Sequence, residues 1–253
     1  MHSMLNTLGI VQVRADQLNA GWKSWRGFGG KSLVEWVVRR VTESQRLDGV
    51  IVVAAADQRA DLATLVPTDV PLFTSNRPDA LGQFADALFH YSCVNVVRIC
   101  LEHPFVDPVL IDRLVTNAAT QPKFDYIGFC TGAGQPVVES MLGCCAELCK
   151  SKAVRIADRE ATDSQDRHNV TRYIYRHLER FQISLLPLPC EIDRTDIRLT
   201  LAEHEDWEHL SYICDSLGEV PDYRDIAEFL ASQPRMRDRM AALNAEHATM
   251  IAH

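Results

Sequence analysis

The chain has 253 residues, of which 47% are hydrophobic and 24% charged, and its formal net charge is -8. This composition suits one folded α/β domain over residues 1–253, because no Pro/Ser-rich linker or compositional shift divides it. Without a run of five or more like charges, the negative balance argues against a phosphate-backbone binder, so no nucleic-acid partner is expected.

Met1 to Asn6 is followed by neither the long apolar stretch nor the small-residue cleavage site of a signal peptide, and no apolar run reaches membrane-span length. A cytoplasmic protein without a membrane partner is expected. Cys93, Cys100, Cys130, Cys190 and Cys214 sit singly in apolar runs, as buried thiols do. Cys144, Cys145 and Cys149 lie closer together, but no CxxC pair or suitably spaced His accompanies them, so no structural zinc is expected.

In chain order, an apolar strand from Gly9 to Val13 meets Arg14, and a loop holding Lys23 leads to Gly29, Gly30 and Lys31. Leu33, Trp36, Val37 and Val41 then line one face of a helix. Strand, cationic glycine-bearing loop and helix together can hold a phosphate on backbone N–H groups and a helix N-terminus. A glycine pair before a helix also reads as a plain turn. Gly49 to Ala55 is a buried parallel strand closed by Asp57, Ala80 to Tyr91 an amphipathic helix, and Asn95 to Cys100 a second buried strand. Pro108 opens a helix whose inner face is Leu110, Ile111, Leu114 and Val115, and Tyr126 to Cys130 is another strand.

This βαβαβαβ order predicts a Rossmann-like, mostly parallel sheet with right-handed crossovers and helices on both faces. The second half is less regular: a strand over Gln135 to Met141, a helix over Cys144 to Ala157, and a polar loop from Asp158 to Asp166. A helix over Asn169 to Phe181 and short strands at Ile183 to Leu188 and Ile197 to Leu201 follow. From Glu203 onward the tail reads as helical, broken near Gly218 to Pro221 and at Pro234.

Ligands of open α/β sheets lie beyond the carboxyl ends of the strands, which puts Arg14, Asp57, Glu102 and the loop Thr131 to Gly134 on one rim. Glu102 follows a buried strand, where a carboxylate can hold a Mg²⁺ that bridges ligand phosphates. Asp107, just before Pro108, reads as a helix cap, and His103 as a loop or packing residue. No GxSxG, HExxH, GxxxxGK[ST] or GxGxxG motif is present, which disfavours hydrolase triads, zinc proteases, Walker ATPases and Rossmann dehydrogenases.

Several segments in order, IVQVR, GGK, VIVVAAAD, DALGQF, VVRICLEHPFVDP, NVTRYIY, RLTLAEHED and DIAEFL, resemble the cytidylyltransferase family of acylneuraminate and keto-deoxy-octulosonate cytidylyltransferases. The likeness is strongest to its spore-coat polysaccharide biosynthesis branch and runs from Ile10 to about Asn244. The resemblance implies a nucleotide-diphospho-sugar transferase-like fold and a reaction that activates a sugar or sugar acid with CTP, releasing pyrophosphate. It further implies that Arg14 and Lys23 hold the triphosphate and act in catalysis, while Gln12, Asp79, Leu81 and Gly82 lie beside the base and ribose. Glu102 would bind Mg²⁺, and Glu139, Asn169 and Tyr173 would lie toward the sugar. Such proteins are commonly homodimers, here through residues 135–169.

The chain departs from the family pattern at several points. Gln17 to Gly21 replaces a loop that normally carries an Arg, and Gln83 replaces a cation in DALGQ. Asn169 stands where the family has a histidine, and RLTLA puts Ala202 at the second metal carboxylate. An alternative therefore stands beside the enzyme: a member that binds nucleotide or sugar, or serves as a partner subunit, without catalysis.

Overall fold

The computed structural model describes residues 5–14, 27–121, 123–218 and 220–251. Strand β1 (Leu5–Gln12) opens the chain. A small hairpin of β2 (Gly27–Phe28) and β3 (Lys31–Ser32) leads into α1 (Leu33–Thr42). Then come β4 (Gly49–Ala55), the short helix α2 (Arg59–Leu62) and β5 (Leu72–Ser75). Next are α3 (Ala80–His90), β6 (Cys93–Cys100), α4 (Pro108–Thr120) and β7 (Tyr126–Cys130). The second half contributes β8 (Glu147–Lys150), α5 (Ser151–Glu160), α6 (Ser164–His168), α7 (Arg172–Arg176) and β9 (Ile183–Pro187). Helices α8 (His204–Leu217), α9 (Tyr223–Ala231) and α10 (Pro234–Ile251) end the chain.

Among the described residues seven strands form one sheet, ordered β5-β4-β1-β6-β8-β7-β9, in which only β8 runs against its neighbours. The expected mostly parallel α/β fold is therefore present. Period-two alternation sorts the strand side chains onto two faces. Val11, Val52, Val97 and Ile127 pack with Trp36, Val37 and Leu110 on one side. Leu8, Ile10, Val53, Val96 and Tyr126 pack with Leu81, Phe84 and Val154 on the other. Because the other six strands are parallel, their carboxyl ends share one edge, and the candidate residues after β1, β4 and β6 stand along it.

Several elements differ from the sequence expectation. Gly29 and Gly30 have φ of 56° and 76° and make the tight turn of the β2–β3 hairpin, so the plain-turn alternative holds. The N-terminus of α1 is capped by Ser32, whose hydroxyl accepts from Glu35 N–H. Gln135 to Met141 is not a strand: after a single bridge between Cys130 and Pro136, the chain makes a 3₁₀ turn over Val137–Glu139. Pro136 has no N–H with which to continue a ladder.

Cys144 to Ala157 divides into β8 and α5, because Leu148 and Cys149 point into opposite cores and fill the gap between β6 and β7. The polar loop of Asp158 to Asp166 is mostly helical, since α5 continues to Glu160 and Asp163 caps α6 by accepting from Gln165 N–H. Only Arg172–Arg176 of the predicted Asn169 to Phe181 helix is helical. Ile197 to Leu201 is buried but forms no ladder; Leu199 and Leu201 donate instead to the carbonyls of Met141 and Glu102. Of the five cysteines expected to be buried, Cys93 and Cys214 are, Cys100 and Cys130 are half-buried at strand ends, and Cys190 is exposed.

Candidate active site

At the end of β1 the buried Gln12 donates through Nε2 to the carbonyl of Ala80 at 3.1 Å. That bond orients the amide and leaves Oε1 as a buried acceptor without a hydrogen bond. Ala80 opens α3, whose cap Asp79 accepts from Gly82 N–H at 2.8 Å. Gln12, Asp79, Leu81 and Gly82 are thus gathered at one helix N-terminus, where backbone donors and the helix dipole favour anions. Arg167 reaches Asp79 from α6, Nη2 to Oδ1 at 2.8 Å, and also meets Asp158 at 2.9 Å. Burial works against the Arg167 charge, but these two carboxylates prevail and raise its pKa.

Arg14, just beyond β1, places Nη2 3.6 Å from Oε2 of Glu102, and both side chains are mostly buried. The next residue, His103, has its pKa lowered by burial, with only partial opposition from Glu102, which keeps the ring neutral near pH 7. Lys23 lies outside the described residues. Asp57 is exposed on its turn after β4. The loop from Thr131 to Gly134 is a tight turn, Gly134 donating to the Thr131 carbonyl, and Asp193 accepts from Gly132 N–H at 2.7 Å. Asp107 caps α4 as expected, accepting from Val109 and Leu110 N–H.

The segment carrying Ala202 lies against Glu102, because Leu201 N–H donates to the Glu102 carbonyl at 2.8 Å. Neighbouring acids are already engaged. Asp206 receives Nε and Nη2 of Arg198 at 2.6 and 3.0 Å together with the N–H groups of Ala202 and Glu203. Glu203 is half exposed and lies 3.9 Å from Arg198. Among the described residues no three His, Cys, Asp or Glu side chains gather as a metal site.

The residues expected toward the sugar are less united. Asn169 ends α6 and lines a cavity of about 430 Å³ with Ser164, Gln165, His168 and Arg172. Glu139 is exposed, 3.9 Å from Arg176. Tyr173 donates its hydroxyl to Glu160 at 3.3 Å and stacks on His177 with ring centres 4.0 Å apart.

The sequence reading missed the buried group formed by Arg98, Tyr126, Glu147 and Thr171, together with the Arg167 anchor. One signal for the first was available: Arg98 and Glu147 each interrupt an apolar strand, and two opposite charges in adjacent buried strands call for one another.

Residues 9–223 match the family model described as cytidylyltransferase. The chain belongs to the cytidylyltransferase family. It is accordingly a nucleotidyltransferase by family. The spore coat polysaccharide biosynthesis protein SpsF of Bacillus subtilis is 26% identical over 226 residues, covering 87% of this chain and 90% of that protein. Among solved structures, a cytidylyltransferase from Leptospira borgpetersenii superposes with a TM-score of 0.78 at 20% identity, covering 92% of this chain and 96% of that one. A CMP:2-keto-3-deoxy-manno-octonic acid synthetase complexed with CTP superposes with a TM-score of 0.63 at 7% identity, covering 84% and 100%. These two superpositions establish the shared fold. Among the described residues no helix is long and apolar enough to cross a membrane.

Proposed function

We propose that this cytidylyltransferase uses CTP to activate a sugar or sugar acid and releases pyrophosphate. The observation that carries the reading is the placement of Arg14 and Glu102, 3.6 Å apart, at the carboxyl edge beside the α3 N-terminus. An acceptor hydroxyl oxygen attacks the α-phosphorus of CTP, and the bond from that phosphorus to the bridging oxygen breaks. Pyrophosphate leaves, the hydroxyl proton passes to solvent, and CMP remains joined to the sugar. Arg14, and Lys23 by resemblance, stabilise the charge that develops on the phosphoryl oxygens and the leaving group. Gln12 and the first turn of α3 seat the base and ribose, and the region of Asn169 receives the acceptor. Glu139 and Tyr173 border that region in the same reading.

The donor set fits Mg²⁺ in a limited way: Glu102 offers one hard carboxylate, and Mg²⁺ is commonly held by one or two carboxylates plus substrate phosphates and water. Glu102 would hold it, and the cation would supply charge neutralisation at the triphosphate. A second reading, nucleotide binding without transfer, is favoured by Ala202 and by the engagement of Asp206 with Arg198. Calorimetry with CTP and the other three nucleoside triphosphates, with and without Mg²⁺, followed by pyrophosphate release over a panel of sugar acids, separates the two. Binding with release supports the enzyme, binding without release the second reading, and no binding of any nucleotide removes both.

A cytoplasmic location is part of this reading, since the reaction draws on the intracellular CTP pool. A homodimer through residues 135–169 belongs to the same reading. The apolar side chains of that segment, including Val137, Leu142, Cys144 and Leu148, are buried in the protomer's own core. A second copy would therefore meet exposed groups such as Gln135, Glu139 and Ser140. Light scattering on a sizing column tests it.

A further inference from the structure

The proposed transfer gives no role to the buried carboxylate of Glu147. Glu147, at the start of β8, is 6% exposed and accepts three hydrogen bonds. Arg98 Nη1 donates to Oε2 at 2.6 Å, while the Tyr126 hydroxyl and the Thr171 hydroxyl donate to Oε1 at 2.9 and 2.7 Å. Arg98 and Tyr126 come from β6 and β7, the two strands that flank β8, so both belong to the sheet itself. Thr171 comes from the junction of α6 and α7, two residues beyond Asn169. Burial works against the Arg98 charge, yet the adjacent Glu147 prevails and raises the Arg98 pKa, so the guanidinium stays charged.

A dry ion pair is a weak source of stability compared with apolar groups of the same volume, because desolvation cancels most of its attraction. Its directional bonds are what an apolar cluster lacks. Here they fix a short segment at one end, while the Arg167 bonds to Asp79 and Asp158 fix it at the other. His168 and Asn169, both lining the cavity, lie between the two anchors. On the β6 side the same assembly points toward Glu102, since Cys100 follows Arg98 on the same face and its thiol lies 3.9 Å from Oε2 of Glu102.

We propose that Glu147 is a positioning residue for the acceptor: through Thr171 it sets the cavity wall that carries His168 and Asn169 at a fixed place relative to the edge bearing Glu102. This rests on the reading that the cavity beside Asn169 takes the acceptor. Glu147 touches neither nucleotide nor acceptor in this role and acts only through Thr171.

Thr171→Val tests it in the full-length protein, since valine keeps the shape, removes the hydroxyl and leaves Arg98 and Tyr126 on Glu147. With CTP and 3-deoxy-manno-octulosonate as first acceptor in the pyrophosphate-release assay, Thr171→Val should raise the acceptor KM roughly tenfold or more. The CTP KM should stay within about twofold, and Thr171→Ser should restore the acceptor KM. Equal loss on both substrates, no loss, or no rescue by serine overturns the proposal. Hydrogen exchange gives a readout that needs no acceptor. Amides of residues 164–172 should exchange about tenfold faster in Thr171→Val while those of β1 and β6 stay unchanged. Unchanged exchange in that segment overturns the proposal even if no acceptor is turned over, whereas failure of CTP to bind the wild type sinks the proposed function instead.

Discussion

Leu201 donates its backbone N–H to the carbonyl of Glu102 at 2.8 Å, which holds the segment that continues into Ala202 against the residue best placed to hold a metal. A hard divalent cation gains affinity with each carboxylate oxygen it meets. Ala202→Asp should therefore tighten Mn²⁺ binding to the CTP-loaded protein by about tenfold or more, read from the free Mn²⁺ spectrum during titration. Glu102→Gln should weaken the same binding. If Ala202→Asp leaves Mn²⁺ affinity and turnover where they were, the missing carboxylate is not what limits this site.

That relationship was only half legible in the sequence. Strands β1, β4, β6 and β7 followed from apolar runs closed by polar residues, and the cap at Asp107 from its place before Pro108, because these are local signals. The two-residue strands β2 and β3 and the short edge strand β5 carry too few residues to show a pattern and go unseen. The second half hid its order. Residues 144–150 read as helix because their alternation is short, and only the gap between β6 and β7 makes a strand of Glu147–Lys150. Residues 197–201 look like a strand, yet their donors go to loop carbonyls, a choice made by tertiary neighbours. The site divides in the same way: Gln12 with Asp79 and Arg14 with Glu102 fall at predictable strand and helix ends, while Arg167 and Thr171 act across distances that periodicity cannot see.

The fold depends on a second buried pair. Arg198 and Asp206 have side chains 0% and 1% exposed, and Asp206 also accepts from Ala202 and Glu203 N–H. Replacing Asp206 leaves a buried guanidinium with only the half-exposed Glu203, 3.9 Å away, as counter-charge and frees two backbone donors. Asp206→Ala should cost about 3–5 kcal/mol of unfolding free energy in urea titrations. A loss below about 1 kcal/mol would mean that water reaches Arg198 readily.

Asp107 offers a pH signature. Burial raises its pKa most strongly, and the N–H groups of Leu110, Tyr223 and Val109, with Arg40, only partly reverse the shift. With the folded pKa above the unfolded value of about 3.9, the folded protein binds more protons in the window between the two values. Stability from this group is then greatest below that window and falls as pH rises through it. Asp107→Asn removes the titration and keeps one acceptor oxygen for the cap bonds from Val109 and Leu110 N–H. It loses the Oδ2 that accepts from Tyr223 N–H at 2.7 Å, a pH-independent cost that shifts the difference without changing its slope. The stability of the wild type relative to Asp107→Asn should decline from about pH 4 upward and then level off. A difference that is flat across that range, or that grows, would show that Asp107 is not destabilised as a carboxylate.

Gly143 is where the chain beside Glu102 is held most tightly. Its φ is +65°, and an added Cβ would come within 2.3 Å of the backbone carbonyl of Leu199 and 2.5 Å of the Thr200 nitrogen. The same approach lets Leu199 N–H reach the Met141 carbonyl at 3.0 Å and so lines up the segment that ends at Ala202. Gly143→Ala adds left-handed strain of about 1 kcal/mol to a backbone clash of about 1–3 kcal/mol, a loss near 2–4 kcal/mol. Gly134 separates the two causes, because its φ is +80° but nothing lies within 4 Å of its Cβ position. Gly134→Ala should therefore cost only about 1 kcal/mol. If strain alone governs Gly143, the two variants unfold at the same urea concentration. If the clash governs, Gly143→Ala unfolds earlier and should also weaken Mn²⁺ binding with CTP, since the segment beside Glu102 must shift to admit the methyl group.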